Sequence, residues 1–84
     1  MKLFSVYDAV ADTYSLPFSS PNTQAGMRAF TEACLDPNSP FYKNPSDYSL
    51  YQIGSFSQDT GEVVADQVTH IMNATDTRPN NASQ

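Results

Sequence analysis

The chain has 84 residues, one cysteine, and nine acidic against four basic residues, for a net charge of −5. That length admits one small domain burying roughly 60–65% of its unfolded surface; an internal disulfide is excluded, and four scattered cations make a poor footprint for phosphate-driven nucleic-acid binding. No run approaches the ~18 apolar residues of a membrane span, and Asp8 and Asp12 fall too early for the apolar stretch of a signal peptide.

A soluble cytoplasmic protein is therefore expected. With neither a disulfide nor a Cys/His cluster to staple so small a domain, self-association is expected too, a dimer being the favoured form.

In chain order, Lys2 to Tyr7 reads as a first strand. Phe4 and Val6 point to one face, and Leu3, Ser5 and Tyr7 to the other, so both faces carry apolar groups as in a central strand. Asp8 to Thr13 is a turn or loop. Tyr14 to Phe18 returns as a short strand that Pro17 confines to an edge or ends.

After the loop at Ser19 to Asn22, Asn22 or Thr23 can cap a helix. Gly26, Met27, Phe30, Ala33 and Cys34 then form one apolar stripe, with Gln24, Arg28, Thr31 and Glu32 largely opposite. Asp36-Pro37 stops the helix, because a residue before proline is pushed out of the α region. A loop with three prolines follows to Asp47, its Phe41 and Tyr42 expected to plug the end of the core.

Tyr48 to Phe56 suits a pleated surface, and Asp59-Thr60-Gly61 is turn chemistry, so a hairpin running to Val64 is expected. In its first strand Tyr48, Leu50 and Phe56 share one parity, and Tyr51 and Ile53 the other. Gly54 in mid-strand marks a bulge or a close backbone approach. Val64, Val68, Ile71 and Met72 would suit a short helix, though their β-branched content favours extended chain. From Asn73 on, the chain is a polar run that composition reads as disordered.

The expected fold is α+β: an antiparallel sheet of about four strands in the order β-β-α-β-β, with one amphipathic helix packed on one face. Residues 1–68 form the domain and residues 69–84 a flexible polar tail. One helix covers only one side of such a sheet. Leu3, Tyr7, Tyr51 and Ile53 are thus candidates for an uncovered face that seeks a partner.

An ordered set of fragments carries a family likeness: residues 1–8, then Pro17-Phe18, Ala25 and Arg28 to Phe30, Asn44-Pro45 with Asp47-Tyr48, Leu50 to Gly54, Phe56, and Thr60-Gly61. Over roughly residues 1–64 the chain resembles the small nonstructural protein of gokushovirus-type microviruses, icosahedral phages with single-stranded DNA genomes. The acidic residue that usually follows the aromatic at Phe56 is Ser57 here. The resemblance implies a non-virion protein of the infected bacterial cytoplasm. It also implies either DNA binding or a part in turning genome replication toward packaging.

Single-stranded DNA is bound by aromatic platforms with cations on the phosphates. Tyr7, Tyr48 and Tyr51, with Phe56, are the candidate stacking residues; Lys2, Arg28 and Lys43 are the candidate phosphate partners. The competing reading is that these aromatics form core and dimer interface, which the charge balance favours.

His70 has no second metal ligand at suitable spacing, Cys34 lies on the apolar stripe as a buried thiol, and the carboxylates fall at element ends where capping explains them. Neither enzyme activity nor a cofactor is expected. Two functions stand: binding single-stranded DNA or the viral replication complex to regulate replication and packaging, or an acidic homodimeric adaptor for a basic viral or host protein.

Overall fold

The computed structural model describes residues 1–77. Five strands and two helices occur in the order β1 (Lys2–Asp8), β2 (Thr13–Tyr14), β3 (Phe18–Ser20), α1 (Thr23–Leu35), α2 (Pro40–Lys43), β4 (Tyr48–Phe56) and β5 (Val63–Asn73), with 3-10 turns at Pro45–Asp47 and Ala74–Thr77. All pairing is antiparallel. The sheet order is β2-β1-β4-β5, and β3 also pairs with β1. The α+β architecture with one main helix is as the sequence implies. The fifth strand arises because the expected return strand is split in two.

That split has a local cause. Pro17 cannot donate to the ladder, and Ser15 stands in for the missing pairs. Its N–H donates to Val6 O (2.8 Å) and its Oγ accepts the Val6 N–H (2.9 Å). The Ser5 hydroxyl donates to Ser15 O (2.7 Å), which explains how Ser5 is buried without an unpaired hydroxyl.

Helix α1 begins where Asn22 Oδ1 accepts the Ala25 N–H at 2.8 Å and ends as Asp36 turns extended before Pro37. Gly26, Phe30 and Cys34 form its buried face, which meets β1, β4 and the Ala74–Thr77 turn. Phe4, Val6, Phe30, Cys34, Leu50 and Ala74 make the core among the described residues. The 37–47 stretch expected as loop contains α2 instead. Ser39 Oγ accepts the Tyr42 N–H as its cap, and Pro40 occupies the first helical turn. Phe41 packs on the core as expected, whereas Tyr42, expected beside it, is exposed.

The β4–β5 hairpin closes at Gly61, whose φ of +79° is left-handed and whose N–H donates to Ser57 O at 2.8 Å. Its register slips twice, between Leu50 and Tyr51 and between Gln52 and Gly54. The β1–β4 ladder slips between Leu3 and Phe4, facing Gly54 and Gln52, so Ile53 is the extra residue there.

The boundary expected at residue 68 is corrected. Strand β5 runs on to Asn73 and Ala74 is fully buried. Asp76 Oδ2 accepts the Asn73 N–H at 2.8 Å, and Thr77 Oγ1 donates to Ala74 O at 2.7 Å. Strand pairing and local capping hold a segment whose side chains are too polar to announce it. The remainder of the expected tail, residues 78–84, lies outside the described residues. No helix among the described residues 1–77 is long and apolar enough to cross a membrane.

Candidate aromatic binding face

Alternation along β1 sends Phe4 and Val6 into the core under α1 and Tyr7 to the opposite face of the sheet. The turn after β1 then brings a second tyrosine alongside. Asp8 Oδ1 accepts the N–H groups of Val10 (3.0 Å) and Ala11 (3.2 Å), and Asp12 takes the left-handed φ of 57° that aspartate tolerates. The chain reverses so that Tyr14 pairs directly with Tyr7. Across the other ladder Ser5 faces Tyr51, and Tyr51 faces His70.

Four rings result on the face that α1 leaves open. Tyr7 and Tyr14 centroids lie 4.9 Å apart, Tyr14 and Tyr51 5.6 Å, Tyr7 and Tyr51 6.1 Å, and Tyr51 and His70 5.3 Å. Three of these pairs meet at 77–79°, the edge-to-face arrangement that their quadrupoles favour, and Tyr7 with Tyr14 is tilted at 48°. Tyr14 is half exposed and His70 exposed. His70 Nε2 lies 2.8 Å from Asn73 Oδ1, which also accepts the Ser49 hydroxyl at 2.9 Å.

The polar group bonded into this cluster is a carboxylate. Tyr7 O–H donates to Asp12 Oδ1 at 2.5 Å. That hydrogen bond first, then desolvation and the Asp12 charge, push Tyr7 from 10.0 up to about 12. A phenol kept neutral in the fold beyond its unfolded value contributes stability that is complete below the unfolded pKa. The contribution fades as pH rises from about 10 to about 12. Asp12→Ala is expected to return the Tyr7 titration toward 10.0, followed by tyrosinate absorbance in the ultraviolet. An unmoved midpoint would mean the bond does not form in solution.

The sequence-predicted site residues divide. Tyr7 and Tyr51 lie together in the ring cluster. Tyr48 does not join them: it packs on the core, its ring 4.8 Å from Phe41, and burial, Asp8 and Asp47 raise its pKa. Phe56, named with them, is half-buried at the far end of β4. Lys2 sits at the end of β1 remote from Tyr7, paired with Ser20 and Ser55; Arg28 is in α1 and Lys43 in α2. The proposed phosphate partners are therefore not gathered around the tyrosines. Leu3 and Ile53 are half-buried like Tyr7 and Tyr51, but the slip at Ile53 breaks the alternation that would align it with Tyr51.

Among the described residues, Asp12 alone of the charged groups bonds to the clustered tyrosines, and further carboxylates share that end of the sheet. Asp8 and Asp12 flank the β1–β2 turn, the Ala9 N–H donates to Asp47 O at 2.8 Å, and the turns carrying Asp47 and Asp76 pack together beside Asn73. The end of the sheet that holds Tyr7 and Tyr14 is acidic. Tyr14 was missed by sequence reasoning, as was Asp12 as a partner of Tyr7. The signal lay in the turn, since pairing Asp8 with Thr13 places Tyr14 opposite Tyr7. Among the described residues no three of His, Cys, Asp and Glu are grouped to hold a metal ion.

A family model described as Phage ORF5 protein matches residues 1–77. No curated protein and no solved structure matches the chain.

Proposed function

The chain belongs to the Phage ORF5 protein family, and from that premise we propose a non-catalytic, non-virion regulator of the gokushovirus type acting in the host cytoplasm. It docks through its aromatic sheet face onto a basic protein of the phage replication or packaging complex. The observation that carries this reading is electrostatic. The rings of Tyr7, Tyr14, Tyr51 and His70 share an end of the sheet with Asp8, Asp12, Asp47 and Asp76, while Lys2 lies at the other end of β1, Arg28 lies on α1 and, of the described cations, Lys43 alone adjoins the Asp47 turn. A surface of that sign attracts cationic partners and repels phosphates.

A second reading, direct contact with single-stranded DNA, is supported by the ring cluster itself, because every base has a face to stack on an exposed tyrosine. The two readings separate in one experiment. Tagged protein is recovered from infected cells after nuclease treatment, and oligonucleotide binding is measured at about 50 and about 200 mM salt.

The expected result is a basic phage protein that survives the nuclease. Tyr51→Ala, its fold checked by circular dichroism, weakens the capture by about 1–2 kcal/mol, roughly 5- to 30-fold. Loss of every partner on nuclease digestion, together with tight oligonucleotide binding at the lower salt, would transfer the function to DNA.

A further inference from the structure

We propose that Tyr7, Asp12, Tyr14 and Tyr51 form a guanidinium site, so that the segment docking on this face presents an arginine. This rests on the reading above that the partner is a basic protein, and adds which side chain it offers. Tyr14 is the most open of the three tyrosine rings, 50% exposed and flanked at 4.9 and 5.6 Å by Tyr7 and Tyr51. Its neighbours meet it tilted and edge-on, and half of its surface is left to solvent. A cation within about 6 Å of such a ring centre is attracted to it, and the flat, weakly hydrated guanidinium stacks better than an ammonium.

Asp12 supplies the second half of the site. Its Oδ1 accepts a hydrogen bond from the Tyr7 O–H, which ties the carboxylate to the ring cluster at 2.5 Å. The rigid turn capped by Asp8 holds it there. The remaining acceptor capacity of an exposed carboxylate suits the planar N–H fork of arginine. Charge complementarity identifies the occupant, since the group bonded to the rings here is the Asp12 carboxylate, while Asp8 and Asp47 lie at the same end of the sheet beside Tyr48.

The test is calorimetric titration of the full chain with oligo-arginine and oligo-lysine peptides of equal length, and with oligothymidine. Oligo-arginine is expected to bind roughly tenfold more tightly than oligo-lysine. Tyr14→Ala and Asp12→Asn should each remove about that factor and bring the two peptides level, while Glu32→Gln on α1 leaves the ratio intact. Equal affinity of the native protein for both peptides would sink the arginine site, as would an equal loss in Glu32→Gln, which marks general attraction only. Oligothymidine binding in place of the peptides would also overturn it. If a basic phage protein is still recovered after nuclease while the two peptides bind alike, the arginine site alone is lost. If neither is seen, the broader reading falls as well.

Discussion

Phe4→Ala is expected to lower the free energy of unfolding by about 3–5 kcal/mol. Phe4 is fully buried, stacks on Phe18 with centroids 5.6 Å apart, and sits on β1, which is paired along both edges. It is also the surface on which the helix rests. A Cβ added at Gly26 would come within 2.5 Å of Cε1 and Cζ of the Phe4 ring, so the α1 backbone lies directly on it. Deleting the ring thus opens a cavity between helix and sheet that neither can collapse to fill without losing strand pairing. At roughly 0.05–0.15 kcal/mol per residue a domain of this length holds only about 4–13 kcal/mol in all. The variant should be largely unfolded at body temperature or melt well below the native protein. Urea unfolding followed by circular dichroism measures it, and a loss under about 1 kcal/mol would show that the core centres elsewhere.

The elements that announce themselves in the sequence are those whose side chains carry the signal. The stripe from Gly26 to Cys34 with Asn22 before it and Pro37 after it gives α1 nearly to the residue. The Asp59-Thr60-Gly61 turn gives the hairpin. Strand β5 is different, because it is exposed over most of its length and its stability comes from main-chain bonds to β4, which composition does not record. That is why a boundary at residue 68 looked natural and fails. Ala74 shows the same limit: a single small residue in a polar run, fully buried, recognisable only once α1 is in place above it.

At the site, parity alone was enough for Tyr7 and Tyr51 and argued against Tyr48, which shares its phase with the buried Leu50. Grouping all three treated aromatic character as if it implied a common face. What parity cannot supply is the lateral placement of separate chain segments. Lys2, Arg28 and Lys43 looked available as phosphate partners because the sequence does not say which end or layer each occupies. The structure answers with distance along β1 for Lys2 and with the helical layer for the other two. In place of those cations the aromatic face carries the Asp12 carboxylate.

Gly54→Ala should cost about 1–3 kcal/mol, against the roughly 0.5–1 kcal/mol gain that alanine normally brings in a strand. A Cβ there would overlap the carbonyl oxygen of Val64, a main-chain atom that cannot rotate away. Relief requires the strands to part where their register already slips, between Gln52 and Gly54. β5 is paired in two stretches, residues 63–65 with 54–56 and residues 69–73 with 49–52, the second bulged at Ile71, and the two are joined by the irregular 66–68. The damage should stay in the first stretch, whose three pairs have little else to hold them. Amide hydrogen exchange should then quicken over 63–65 while 69–73 keeps its protection. His70 and Asn73 belong to the second stretch, so the aromatic face and its ligand binding should survive. A variant that exchanges uniformly faster along β5, or loses binding with it, would mean the two stretches form one cooperative unit; a variant as stable as the native chain would mean the close approach at Val64 is not maintained in solution.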